Sequence, residues 1–179
     1  RADLKKSLIE HFIQAAESWN DAVFDNGQKN KSFNKDIFEL EVGHHDLVYI
    51  DPPYLSDMSD NEYTRRYHFV EGLASYWQDA EIQQHTKTKK IKRKDTPFGS
   101  KRTVFQGFDN LFKKFSDSIL LVSYSSTGIP NREEMIELLK RHKKNVDVLE
   151  YDHTYSFGTY GHKVGNSNNR VLEYLFIAS

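Results

Sequence analysis

An aspartate, two prolines and a tyrosine stand together where an apolar run ends, and residues of these types can do chemistry at this spacing. The apolar run covers residues 47–50, and Asp51, Pro52, Pro53 and Tyr54 follow it directly. Proline has no backbone N–H, so two in succession end a strand and hold the chain in a rigid extended turn. The turn offers the Asp51 carboxylate and the Pro52 carbonyl as acceptors beside the flat ring of Tyr54. We therefore predict a site that binds and activates an amino group.

An exocyclic amine such as that of adenine is a poor nucleophile, because its lone pair is delocalised into the ring. Two acceptors that bind the NH2 group draw the nitrogen towards a tetrahedral geometry and localise the lone pair for in-line attack on a sulfonium methyl group. Positioning and electrostatics then supply the rate, without a covalent enzyme intermediate. Tyr54 is predicted to stack on a base that has left the duplex. A strand-ending turn with a capping aspartate is the alternative interpretation of the same residues.

A strand that ends at a ligand-binding edge has to position this turn, and the apolar pattern predicts one. The continuous apolarity of residues 47–50 is typical of a parallel strand covered on both faces. Open α/β sheets bind ligands at the carboxyl ends of such strands. The order of elements predicts an α/β fold, mostly parallel, with an antiparallel C-terminal hairpin. The other predicted strands are 118–124, 146–151 and 171–178. Four helices are predicted: one that begins after Asp3, one at 68–79, one at 109–115 and one that begins at Ile129-Pro130.

Composition limits the classes of protein to which the chain can belong. Its 179 residues have a net charge of −1 and are 37% hydrophobic, which suits one domain, 1–179, with a sizeable core. Cysteine is absent, which excludes disulfides and thiolate metal sites. The eight histidines are scattered without carboxylates at ligand spacing, so no metal site is predicted. Neither a membrane span nor a signal peptide is visible, so we expect a cytoplasmic protein without a membrane partner.

The sequence resembles the amino-methyltransferases that modify DNA, and the likeness extends through most of the chain. In that family an apolar strand delivers an Asp-Pro-Pro-Tyr motif, as residues 47–54 do here. The resemblance implies a Rossmann-like sheet and S-adenosylmethionine as the cofactor. It also implies that the catalytic residues are Asp51, Pro52, Pro53 and Tyr54.

The resemblance extends to residues that bind the cofactor and the target base. An aspartate followed by an apolar residue contacts the cofactor in the family, which implies that role for Asp36 and Ile37 together with Asp51. Residues 151–157 are similar to the loop beside the target base, which implies base contacts from Tyr155 or Phe157 in addition to Tyr54.

One part of the family pattern is missing from the sequence. The family holds the methionine end of its cofactor in a Phe-x-Gly-x-Gly type of turn, whereas Gly158, Gly161 and Gly165 lie downstream at another spacing. Arg1 also leads almost directly into a predicted helix. We therefore expect a sheet that is incomplete on its N-terminal side. Three explanations are open. The turn lies in an upstream segment of a longer parent, a second polypeptide supplies it, or the chain has lost catalysis.

A cluster of positive charge lies between 87 and 94, where the sequence KTKKIKRK has six cations in eight residues. Such a cluster can neutralise phosphates and release counterions when double-stranded DNA binds. We predict that Lys89, Lys90, Lys92 and Arg93 contact the DNA backbone and position the substrate rather than read its sequence. A solvated loop is the alternative interpretation.

These observations favour a site-specific DNA methyltransferase of a prokaryotic restriction–modification system that transfers a methyl group from S-adenosylmethionine to N6 of adenine. Two alternatives stay open. The same pocket could act on adenine in RNA, or the chain could be a non-catalytic nucleic-acid-binding subunit that keeps the fold. The missing glycine turn is the main support for the second alternative.

Overall fold

The computed structural model describes residues 5–41, 43–57, 67–92, 95–154 and 170–179 of the chain. The chain divides into two compact units, residues 1–35 and residues 36–179. A single helix is the regular element described in the first unit, and a sheet with helices against it forms the second. No helix in the described ranges is both long and apolar enough to cross a membrane.

Helix α1 spans Leu8–Ala22 in the first unit and begins with a capping box. The N–H of Glu10 donates to Oγ of Ser7 at 3.2 Å, and the N–H of Ser7 donates to Oε2 of Glu10 at 2.6 Å. We predicted a helix here after a cap at Asp3. Asp3 lies outside the described residues, and Ser7 is the cap observed. The apolar side chains of this helix are exposed, among them Leu8, Ile9, Phe12 and Trp19.

A four-stranded mixed sheet organises the second unit, in the order β1–β2–β4–β3. Strand β1 pairs parallel with β2, and β4 pairs antiparallel with both β2 and β3. The predicted C-terminal antiparallel hairpin is confirmed. The prediction of a mostly parallel sheet is wrong for the described strands. Three of the four strands run in one direction, but β4 inserts between β2 and β3, so only one of the three pairings is parallel. The strands are β1 at Leu47–Ile50, β2 at Ile119–Ser125, β3 at Val146–Thr154 and β4 at Arg170–Ala178.

The core of the second unit lies on one face of this sheet. Helices α3 (Val104–Lys114) and α4 (Arg132–Lys140) bury their apolar faces against alternate residues of β2 and β4. Alternation in β2 is clear, because Leu120, Val122 and Tyr124 are buried whereas Ile119 is 43% exposed. The buried side chains include Phe108, Leu111, Phe112, Met135, Leu138, Leu139 and Phe176.

The prediction that β1 is covered on both faces is wrong for the described chain. Leu47 and Tyr49 are 49% and 59% exposed, whereas Ile50 is buried. A continuous apolar run does not reveal how many layers cover a strand. In this chain the helices that pack on the sheet lie on the side of Ile50.

Three predicted helices of the second unit exist with different ends. Helix α2 spans His68–Ser75 rather than 68–79, because Tyr76 and Trp77 have left-handed φ values of 52° and 54°. Helix α3 begins earlier than predicted, at Val104. Helix α4 begins after Ile129-Pro130, where Asn131 caps it in a box with Glu134.

Ionic contacts join the end of α4 to α3. Asp109 on α3 accepts hydrogen bonds from Nε2 of His142 at 3.0 Å and from Arg141 at 3.3 Å. The ammonium group of Lys143 donates to the carbonyls of Ser116 and Ser118, which leave α3 and enter β2. These contacts fix the helix that packs beneath the predicted site.

Candidate active site

The turn after β1 lies at the carboxyl edge of the parallel strand pair, as the sequence predicts. Ile50, the last residue of β1, is in register with Val122 of β2. Beyond it Asp51 is exposed and Pro52 is buried. The turn is tied to the loop after β2, because the N–H of Ile129 donates to the carbonyl of Leu55 at 2.8 Å. The exits of two neighbouring strands therefore hold the predicted acceptors.

Tyr54 joins the Asp-Pro-Pro-Tyr turn to β2. Its hydroxyl donates to Oδ1 of Asp51 at 3.1 Å and lies 3.4 Å from Oγ of Ser123. Burial raises the pKa of Tyr54, the hydrogen bond with Ser123 opposes that rise, and the carboxylates of Asp51 and Glu173 add to it. The hydroxyl is therefore protonated at neutral pH and is able to donate to Asp51.

A buried tyrosine supports the ring of Tyr54. The ring of Tyr124 meets it edge-on with centroids 5.0 Å apart, and the hydroxyl of Tyr124 donates to the carbonyl of Ile129 at 2.6 Å. Burial also raises the pKa of Tyr124. A Cβ atom at Gly128 would overlap the Tyr124 ring, so the loop after β2 closes over that ring only with glycine there. The exit of β2 thus determines where Tyr54 lies.

A cavity of about 270 Å³ opens beside the turn. One wall is formed by β1 and the Asp-Pro-Pro segment, and the facing wall is formed by α3 and the short 3-10 helix Pro97–Gly99. Most of the residues that line it are apolar, and Asp51 and Tyr49 are the polar ones. The lining residues are Ile37, Val48, Tyr49, Ile50, Asp51, Pro52, Pro53, Phe98, Leu111 and Phe115.

The segment at Asp36 reaches this cavity through its neighbour Ile37. Oδ1 of Asp36 accepts from the N–H of Phe38 at 2.8 Å, which folds residues 37–39 into a turn. Phe38 stacks on Phe98 with centroids 6.1 Å apart, and Lys114 donates to the Phe38 carbonyl at 2.7 Å. The structure therefore brings Ile37 and Asp51 to one cavity, whereas the exposed Asp36 caps the turn that presents Ile37.

Comparison with known proteins agrees with this geometry. A family model described as D12 class N6 adenine-specific DNA methyltransferase matches residues 3–138, which is more than half of the chain. The chain belongs to that family. The match includes β1, the Asp-Pro-Pro-Tyr turn and the elements that line the cavity.

Several curated relatives of this D12 family member are methyltransferases by name. The chain is 35% identical over 158 residues to the type II methyltransferase M2.HphI of Haemophilus parahaemolyticus. This alignment covers 87% of the chain and 43% of that relative. The chain is also 31% identical over 155 residues to the type II methyltransferase M.FokI of Planomicrobium okeanokoites. That alignment covers 86% of the chain and 23% of the relative. The chain thus spans less than half the length of these relatives. No solved structure gives a significant match.

The described part of the predicted DNA-contacting segment, residues 87–92, folds back against residues 81–84. Ile82 and Ile91 form an antiparallel bridge, and Ile91 is buried. Lys92 pairs with both carboxylate oxygens of Glu81 at 2.9 Å, and Lys89 donates to the carbonyl of Gln84. Lys90 is half-buried, and Arg93 lies outside the described residues. Lys89 and Lys92, two of the predicted phosphate-binding cations, therefore already have partners at Gln84 and Glu81.

Several site residues were not identified from the sequence. Ser123 was not selected, although it lies one position beyond the register partner of Ile50 and so is level with Asp51. Leu111 and Phe115 were predicted only as helix residues, yet their spacing of four places both on the cavity wall. Tyr155 and Phe157, the predicted base-binding aromatics, lie outside the described residues. Among the residues that the structure describes, no group of three or more metal-ligating side chains is present.

Proposed function

We propose that this chain is the catalytic portion of a site-specific DNA methyltransferase that transfers a methyl group from S-adenosylmethionine to N6 of adenine. The observation that carries the proposal is the position of Asp51. Asp51 is exposed and lines a mostly apolar cavity, and its Oδ1 accepts a hydrogen bond from the Tyr54 hydroxyl at 3.1 Å. Membership of the D12 family gives the reaction class that fits this arrangement.

The cavity suits the adenine end of the cofactor. Its volume and its aliphatic and aromatic walls match what a planar heterocycle requires. We propose that Ile37 and Phe98 contact the flat faces of the adenine and that Asp36 contacts its polar edge. When bound, S-adenosylmethionine supplies an electrophilic sulfonium methyl group.

Asp51 and Pro52 act on the amino group of the target base. The carboxylate and the carbonyl accept its two N–H bonds and localise the nitrogen lone pair for attack. Bound S-adenosylmethionine would supply the methyl group and leave as the neutral thioether, and Asp51 or solvent would accept the surplus proton of N6. The rate enhancement arises from orientation and from fixed hydrogen-bond acceptors.

The base reaches this site by leaving the DNA duplex, and Tyr54 gives it an aromatic surface. We propose that Tyr155 or Phe157 forms another part of the base pocket. The segment 87–94 contacts the phosphate backbone through Lys89, Lys90, Lys92 and Arg93, although the ion pair of Lys92 with Glu81 has to exchange for such a contact.

The rest of a Rossmann-like sheet lies outside this chain in our proposal. The exposed side chains of Leu47 and Tyr49 on β1, and the greater length of the relatives, support a further layer and further strands. We propose that these bring the glycine-rich turn for the methionine end of the cofactor, either from the same polypeptide or from a second one. Residues 1–179 then act as one catalytic portion in the prokaryotic cytoplasm, at the nucleoid.

The direct test is transfer of radiolabelled methyl groups to mixed-sequence double-stranded DNA, followed by nucleoside analysis. The chain alone and the full-length protein are compared. We expect label in N6-methyladenine with the full-length protein. Absence of label from the DNA in both samples, and from RNA assayed in the same way, would instead support a binding subunit without catalysis.

A further inference from the structure

Ser123 lies where it can act on the proposed acceptor through one intermediate group. Ile50 pairs with Val122, so the next residues of the two parallel strands, Asp51 and Ser123, are level at the same edge of the sheet. Tyr54 fills the space between them. Its hydroxyl oxygen lies 3.1 Å from Oδ1 of Asp51 and 3.4 Å from Oγ of Ser123.

The chemistry of the three groups fixes the direction of the hydrogen bonds. An ionised carboxylate only accepts, so the single hydroxyl proton of Tyr54 is directed to Asp51. The lone pairs of the Tyr54 oxygen are then available, and the Ser123 hydroxyl becomes the donor to it. Each bond in such a chain polarises the next, because the Ser123 hydroxyl makes the Tyr54 hydroxyl a stronger donor.

We propose that Ser123 is a positioning residue that acts through Tyr54 to orient the carboxylate of Asp51 for methyl transfer. With Oδ1 held by Tyr54, the other oxygen, Oδ2, is left to accept from the amino group of the target base. The inference rests on the proposed function, because it assigns a role within the same reaction. In this proposal Tyr54 has two roles: its ring stacks on the base, and its hydroxyl orients the carboxylate of Asp51.

A double-mutant cycle in the full-length protein tests this proposal, with kcat and the KM for DNA measured at saturating S-adenosylmethionine. One hydrogen bond of this kind is expected to change kcat by about fivefold, so Ser123→Ala lowers kcat by about that factor and Tyr54→Phe by about tenfold. The double variant is expected to equal Tyr54→Phe, because Ser123 acts only through the lost hydroxyl. The KM for DNA stays within about twofold in each variant, since no substrate contact is removed.

Two further variants separate positioning from general stability. Ser123→Thr keeps the hydroxyl and is expected to restore most of the kcat. Ser125→Ala removes a buried hydroxyl from the same strand that lies 3.4 Å from Thr127 Oγ1, and it is expected to leave kcat unchanged. Thermal unfolding of each variant shows that the protein is folded.

The results distinguish this inference from the proposed function. Multiplicative effects of Ser123→Ala and Tyr54→Phe on kcat, or equal effects of Ser123→Ala and Ser125→Ala, would overturn the positioning role while wild-type methylation persists. A wild-type protein that transfers no methyl group to adenine would contradict the proposed function itself.

Discussion

The hydroxyl of Tyr54 donates to Oδ1 of Asp51 at 3.1 Å, and the Tyr54 ring rests edge-on against Tyr124. The tyrosine of the motif is therefore held at both its hydroxyl and its ring. The ring and the hydroxyl make different contacts, so substitutions can separate what each contributes.

The ring of Tyr54 is expected to govern DNA binding at the target base. Stacking of a base on an aromatic ring is worth about 1–3 kcal/mol, so Tyr54→Leu should raise the KM for DNA by about tenfold or more. Tyr54→Phe keeps the ring and should leave this KM within about twofold of wild type. Steady-state methylation at varied DNA concentration measures both. An equal rise in KM for the two variants would show that the ring does not stack on the base.

The cavity beside Ile37 is expected to bind the adenine of the cofactor. Ile37→Trp introduces a bulky ring at its wall and should weaken binding of S-adenosylhomocysteine by at least about tenfold, as measured by calorimetry on the full-length protein. Ile136→Trp is the matched control, because Ile136 is also half-buried but does not line the cavity. Unchanged affinity for Ile37→Trp in a folded protein would place the cofactor elsewhere.

The segment 87–94 is expected to contribute to DNA affinity through charge alone. Lys87 and Lys90 form no ion pair with any residue in the described ranges, so the double variant Lys87→Ala/Lys90→Ala should reduce the slope of log K against log salt by about 2. Lys92→Ala should reduce the slope by less than about 1, because Glu81 already neutralises Lys92.

Lys140 and Lys144 supply the control for this experiment. Both are exposed; Lys140 is the last residue of α4 and Lys144 lies between α4 and β3, at the sheet edge opposite Asp51. Replacing both with alanine should leave the salt slope unchanged. Equal slopes for the two double variants would mean that segment 87–94 makes no phosphate contacts.

The contact between α3 and the end of α4 is expected to make stability depend on pH. The hydrogen bond from His142 holds the pKa of Asp109 below its ordinary value of 3.8, burial opposes this, and Arg141 assists. A carboxyl with a lowered pKa stabilises the fold above its unfolded value, and this contribution is lost as the pH falls through the folded value.

Asp109→Asn should therefore lower the free energy of unfolding by about 1 kcal/mol at neutral pH and by progressively less below pH 3.8. Urea unfolding of both proteins at several pH values measures the difference. Asp147→Asn, at an exposed position on β3, is the control. A difference that stayed constant down to low pH would contradict the role assigned to Asp109.

The sequence was informative where local chemistry determines structure. The Asp-Pro-Pro-Tyr turn, the antiparallel hairpin and the wall position of Ile37 follow from proline geometry, strand periodicity and family resemblance. The exposure of Leu47 and Tyr49 was not predictable, since an apolar run does not state how many layers cover it.

Contacts between elements that are distant in the chain could not be predicted from the sequence either. The bond between Tyr54 and Ser123 joins residues 69 positions apart, and it depends on the register of β1 against β2. The pairing of Lys92 with Glu81 required the fold of the intervening loop. The left-handed residues Tyr76 and Trp77, which end α2 early, have no local signal such as glycine.

The central claim is that Asp51 accepts a hydrogen bond from the adenine amino group during methyl transfer. The most direct test measures N6-methyladenine formed by the full-length wild-type protein and by Asp51→Ala, with thermal unfolding of both proteins as a check that the variant is folded. Loss of a fixed acceptor should lower kcat by at least about 100-fold while the variant stays folded. Wild-type rates of N6-methyladenine formation by Asp51→Ala would contradict the account.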